Sequence, residues 1–304
     1  MVERPYLHEA LLMAWGGVLS LALGLVAGWR APVTLHLLGG TSLFVFAVLL
    51  CARLEGVRHV FRVRLLLAYA ATFFFYASVK DAVPALGLAT RDAGLLQWDA
   101  WLFGGSTPSV WFQRWNAPWV LELFSASYLS FHAYLHLAMA WAAIGTRERA
   151  ERFFGYVFGA YVPGLLGYYL VPAVGPQVAF PGLYSGAIEG GWWTSLNAAV
   201  VAHGSSTYDV FPSLHVYITL VLLDHDRVAH PWRFRLLLPV AVVLVLSTLV
   251  LRYHYAVDLL AGGVWFLAFK VLHPRVRAWW EARGRPGPAT SGRALGAPSS
   301  GGIE

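Results

Sequence analysis

Residues 236–272 read LLLPVAVVLVLSTLVLRYHYAVDLLAGGVWFLAFKVL. Two apolar runs, 236–251 and about 255–272, flank a polar insertion, Arg252-Tyr253-His254-Tyr255-Ala256-Val257-Asp258. Crossing the hydrocarbon as a helix takes roughly 20 apolar residues, range about 17 to 25. The pair therefore reads as two membrane helices joined by a turn that carries an arginine, a histidine and an aspartate. Each such group costs about 2.5–3.5 kcal/mol on the insertion scale unless it is paired or wetted, so their concentration at one helix end marks a functional end.

Outward from this stretch the same pattern recurs at 10–29, 31–52, 65–79, 123–146, 153–172 and 210–223, which predicts an all-α, multi-pass membrane protein of about eight transmembrane helices. Composition agrees: 58% of the 304 residues are hydrophobic and 12% charged, against about 25% charged in ordinary soluble domains. The run at 10–29 is long, lacks a small-residue cleavage site and is followed by another span, so it reads as a retained helix rather than a cleaved signal. Expected organisation is two extra N-terminal helices and a basic loop over 1–64, a catalytic helical core over 65–272 with long loops at 80–117 and 173–209, and a disordered tail over 273–304, rich in Gly, Pro and Ser from 284.

The net charge of +6 raises the question of nucleic acid. Placement answers it: 17 of the 22 Lys and Arg fall on one set of alternate loops and 5 on the other. By the positive-inside rule both termini face the cytoplasm, and the arginines sit beside anionic lipid heads. The Arg-, Ala- and Gly-rich composition suggests a bacterial plasma membrane. A single cysteine, Cys51, excludes a disulfide framework and cysteine-based metal clusters. Tryptophans at 98, 101, 111 and 115 predict interfacial helix in the first long loop, and the Gly- and Pro-rich second loop reads as a cap.

This topology brings three polar clusters to one face, the outer one. They are Tyr168-Tyr169-Leu170-Val171-Pro172-Ala173-Val174-Gly175-Pro176-Gln177, then Phe211-Pro212-Ser213-Leu214-His215, then the insertion 252–258. His254 and Asp258 are four apart, one helical turn on one face. A carboxylate accepting from one imidazole nitrogen fixes the tautomer and raises the basicity of the other, as a histidine nucleophile requires. His215 suits a general acid and base. Arg252 offers a permanent forked cation for phosphate oxygens, and Ser213 with the helix start behind Pro212 adds neutral donors.

The conjunction of Phe-Pro-Ser-Leu-His with Arg-x-His-x-x-x-Asp some forty residues on resembles the type 2 phosphatidic acid phosphatase superfamily. The Tyr-Tyr-x-x-Pro-x-x-Gly-Pro stretch, with Asp99-x-x-Leu102-Phe103-Gly104, is more similar to its inositol phosphorylceramide synthase (inositolphosphotransferase) branch. The resemblance covers roughly residues 80–272. It implies a six-helix core, a covalent phosphohistidine at His254, no metal and no cofactor. It further implies a phospholipid or polyprenyl phosphate substrate, with a lipid alcohol or water as acceptor. Two departures stand out. The phosphatase branch's Lys-x6-Arg-Pro signature is missing, and Ser247-Thr248 stand where that branch has Ser-Arg, so phosphate binding falls to Arg252 with Ser213, Tyr168, Tyr169 and Gln177 as candidates.

Other features carry alternatives. The tyrosines also suit interfacial anchoring. Asp209 either orients His215 or caps the sixth span. His132 and His136, four apart, either hold a metal or divide roles, one facing the cavity with Tyr128 and the other bonding a neighbouring helix. Asp99 reads as an anchor for the first long loop, and Gly262-Gly263 as a close helix contact. The reading that results is a metal-independent lipid phosphotransferase or phosphatase at the exoplasmic face. Its rivals are a non-catalytic anionic-lipid transporter or scramblase and a metal-dependent membrane hydrolase.

Overall fold

A computed structural model describes residues 4–54, 57 and 59–284. Among these the chain is all-α: α1 (Leu7–Val26), α2 (Pro32–Arg53), α3 (Val60–Ala85), α4 (Asp92–Leu102), α5 (Pro108–Trp111), α6 (Pro118–Ile144), α7 (Arg147–Leu170), α8 (Pro176–Ala179), α9 (Trp192–Gly204), α10 (Leu214–Ala229), α11 (Pro231–Val250) and α12 (Ala256–Gly284). Prolines open α2, α5, α6, α8 and α11 at their first turn, where a missing N–H costs nothing.

Helix α10 lies at the centre, packed against α6, α7, α11 and α12. Its Tyr217, Ile218, Val221 and Leu222 are wholly buried. Helix α3 joins through α7, while α1 and α2 pack on the α3 and α7 side. The outer surface is apolar as well: Leu25, Leu43, Phe46, Leu66, Leu137, Leu236, Val264 and Leu267 all face outward. An apolar exterior around an apolar core is what a lipid solvent permits.

Six helices, α1, α2, α3, α7, α11 and α12, are long and apolar enough to cross a membrane. The expected eight is thus corrected to six by length and composition. The other two candidates fall short for different reasons. Helix α10 has 16 residues, about 24 Å at 1.5 Å per residue, less than a hydrocarbon core of about 30 Å. Helix α6 has 27 residues, but Glu122, Ser125, Ser127, Ser130, His132 and His136 dilute its hydropathy.

At its far end α12 continues to Gly284, so the stretch 273–284, expected to belong to the tail, is helical. The rest of that tail, from 285, lies outside the described residues. The first long loop folds into α4, α5 and a 3-10 turn at Phe112–Trp115, with Trp98 and Trp101 outward and Leu95 and Asp99 buried. The second folds into α8, a 3-10 turn and α9, and α9 packs on α6.

Candidate active site

The start of α12 is built by side chains from α4. Asp99 accepts from the backbone N–H of Ala256 (3.0 Å) and of Val257 (2.8 Å), two of the donors a helix N-terminus leaves open. Asp92 accepts from Val174 N, Gly175 N and the Tyr255 hydroxyl, tying the first polar cluster to the third. Gly175 has φ +88, and a Cβ there would meet the Tyr253 carbonyl oxygen at 2.6 Å, so this crossing of two backbones requires glycine. Ser213 N donates to the Asp258 carbonyl (3.1 Å), and a Cβ on Gly262 would meet the Ser213 carbonyl oxygen at 2.8 Å. These contacts hold the starts of α10 and α12 together.

On this frame His254 Nδ1 lies 3.1 Å from Asp258 Oδ1. The other Asp258 oxygen accepts from Tyr255 N (3.0 Å). A carboxylate only accepts here, so His254 Nδ1 carries the proton and Nε2 is bare. That bare nitrogen faces His215 Nδ1 at 3.4 Å, which makes His215 Nδ1–H the donor between the rings. Burial pulls the His254 pKa down, but the charge and hydrogen bond of Asp258 outweigh it and hold the imidazole above its ordinary value. Tyr128 and Phe131 of α6 flank His215 with ring centroids 4.5 and 4.7 Å away.

Arg252 closes the site with φ +64, a left-handed conformation uncommon outside glycine. The turn that puts it there is fixed by Tyr253 N and His254 N, both donating to the Thr248 carbonyl. Its guanidinium lies over the Tyr184 ring, 4.6 Å from the centroid, and Nη1 donates to Gly186 O at 2.6 Å. Tyr184 is itself held through Ser109, Thr107 and Asp99. Arg252 Nε and Nη2 are buried and have no partner among the described residues. These two nitrogens carry three N–H groups in a fork whose geometry suits the oxygens of an anion.

A cavity of about 890 Å³, lined mainly by apolar and aromatic side chains, opens onto this group. His215, His254, Arg252, Tyr168, Gln177 and His132 all line it. Asp258 stands behind His254. Gln177 is fixed by its backbone N–H on Arg252 O (3.3 Å).

Other expected residues are placed elsewhere. The Ser213 hydroxyl accepts from Val216 N (3.5 Å) as the cap of α10, and Ser213 is not among the residues lining the cavity. Tyr169 turns toward α1, its ring 5.3 Å from Trp15, and is not among the residues lining the cavity. Asp209 lines the cavity but does neither job expected of it: it accepts from the Tyr76 hydroxyl, Ser205 Oγ and Ser206 N. His132 and His136 divide as the second alternative had it, with His132 on the cavity wall and His136 Nε2 2.9 Å from the Tyr69 hydroxyl. Ser247 and Thr248 bond back to Leu244 O and Val245 O within α11.

Sequence reading missed Asp92, Tyr184 and Asn197, and gave Asp99 a smaller part than it has. Only Asp99 had a signal, its place in the Asp-x-x-Leu-Phe-Gly stretch. The family profile of the PAP2 superfamily matches residues 93–272. No curated protein and no solved structure gives a match.

Proposed function

This chain belongs to the PAP2 superfamily, a family in general of metal-independent lipid phosphatases and phosphotransferases, and from that we propose a lipid phosphotransferase acting through a phosphohistidine at the exoplasmic face. One observation carries the reading. A histidine with a carboxylate behind it aims a bare nitrogen at a second histidine 3.4 Å away, within one cavity that also holds a half-unpartnered arginine.

In the reaction His254 Nε2 attacks phosphorus, forming a P–N bond as the P–O bond to the leaving alcohol breaks. His215 delivers its Nδ1 proton to that oxygen. An acceptor alcohol then loses its proton to His215 and attacks phosphorus, and the P–N bond breaks. Arg252 Nε and Nη2 bind the phosphoryl oxygens, where charge builds in the transition state. Attack needs reacting atoms about 3–3.5 Å apart, with the acid a further hydrogen bond beyond the leaving oxygen. A phosphoryl group therefore takes the place of the direct His215–His254 hydrogen bond.

The substrate on this reading is a phospholipid or polyprenyl phosphate in a bacterial plasma membrane. An apolar and aromatic lining favours a lipid alcohol over water as acceptor. Purified protein given a labelled lipid phosphate should acquire acid-labile label, release phosphate slowly and transfer it faster to a matching lipid alcohol. His254→Ala should abolish both label and turnover. Phosphate release retained in that variant would sink the assignment.

A further inference from the structure

One wall of the cavity carries polar groups that the reaction above does not use. Asn197 of α9 is 1% exposed, lines the cavity and donates through Nδ2 to the Tyr253 hydroxyl at 3.1 Å. Its Oδ1 is buried with no partner among the described residues. The Tyr253 phenol accepts that bond, which leaves its own proton without an acceptor among the same residues. Burial pushes the Tyr253 phenol up to about 12, against the pull of the Asn197 hydrogen bond, so the proton is present at neutral pH. Tyr253 sits between Arg252 and His254 in the turn, and all three line the cavity.

A buried amide oxygen left unpaired is costly, and such exceptions call for an explanation. The pair presents one acceptor and one donor side by side. A phosphate oxygen satisfies only the donor, and an alkyl chain satisfies neither. A hydroxyl group satisfies both, donating to Asn197 Oδ1 while accepting from Tyr253.

We infer that Asn197 and Tyr253 form a hydroxyl-recognition subsite beside the phosphate position, so that the preferred ligand is a phosphate ester whose alcohol carries a further hydroxyl. The inference rests on the reading of this cavity as a phosphate-ester site and adds the class of head group it takes. Arg252, Tyr253, His254 and Asn197 line one cavity, so the hydroxyl and the phosphate share it. Rejection of an analogue lacking the hydroxyl follows from the same pairing, because desolvating Asn197 Oδ1 without a donor is unfavourable.

The test compares sn-glycerol 3-phosphate with n-propyl phosphate, which has the same carbon skeleton and no hydroxyls, by equilibrium binding to the full-length chain in detergent. A His254→Gln background prevents turnover. The glycerol ester should bind about tenfold more tightly, the equivalent of one net hydrogen bond. Adding Asn197→Leu should bring the two affinities to within about twofold of each other, mainly by weakening the glycerol ester. Tyr253→Phe, which keeps the ring, should reduce the ratio and carries the test if Asn197→Leu fails to fold. Equal affinities in the parent, a ratio that survives Asn197→Leu, or equal weakening of both ligands overturns the subsite. Lipid turnover by the wild type is measured separately: a tenfold ratio without turnover of any lipid phosphate would defeat the proposed reaction and leave the subsite standing.

Discussion

His254, in the turn just before α12, is paired with Asp258 of that helix's first turn. With Asp258 fixing the proton on Nδ1, the free nitrogen is oriented before substrate arrives. Attack requires that nitrogen to be bare, so activity is present above the raised His254 pKa and is lost as pH falls through it. Replacing Asp258 with Asn leaves burial as the main influence on His254, which lowers its pKa. The acid limb of kcat/KM in Asp258→Asn should therefore move to lower pH, while the plateau falls by about 10²–10⁴. A limb that stays in place would contradict the assigned pairing. The four-residue spacing singled this pair out in the sequence, but α12 begins at Ala256, so His254 precedes the helix and meets Asp258 across its first turn rather than along one helical face. The partners of Ser213 and Tyr169 were not legible there, since a hydroxyl at a helix start serves equally as cap or ligand.

At the scale of elements, α4 decides where α12 begins. Asp99 is wholly buried and is shared between two backbone donors and the Thr107 hydroxyl (2.6 Å). Through Thr107 and Ser109 the same carboxylate reaches Tyr184, on which Arg252 lies. Asp99→Ala leaves those donors unpaired, which should cost about 1–3 kcal/mol and lower the thermal unfolding temperature in detergent. The variant should lose kcat more than KM, because the turn holding His254 loosens while the cavity persists. Unchanged melting and turnover would show that α12 positions itself. The sequence marked α4 as interfacial through Trp98 and Trp101, and those residues do face outward. Its inward role was hidden, because the backbone donors that Asp99 satisfies lie more than 150 residues away along the chain.

Over the whole molecule, polarity separates the two ends of the bundle. The end away from the cavity carries the ion pairs Glu9–Arg64, Asp226–Arg233 and Asp224–Lys270, together with the turn between α6 and α7 and its Arg147–Glu151 pair. Six crossings, an even number, put both termini on one side, and the positive-inside rule predicts that side to be the cytoplasm. Reporters fused at the two ends of the chain should both read cytoplasmic in intact cells, and opposite readings would remove any even number of crossings. Hydropathy alone supports six crossings. The other two helices, α6 and α10, contribute cavity-lining residues, among them Tyr128, Phe131, His132, Leu214 and His215. Polar residues that line the cavity lower the hydropathy of α6, and α10 has only 16 residues.

Local pattern was enough for the helical class, for the polar clusters at helix ends and for the partnership of His254 with Asp258. Each of these depends on periodicity or on the cost of charge in lipid, and both are properties of a short stretch of chain. Packing alone decided that His215 meets His254, that Asp92 and Asp99 brace the turn, that Tyr169 turns toward α1 and that Asn197 faces the cavity. Which side of a helix looks inward, and at what depth, depends on every helix packed around it, and no single segment carries that information.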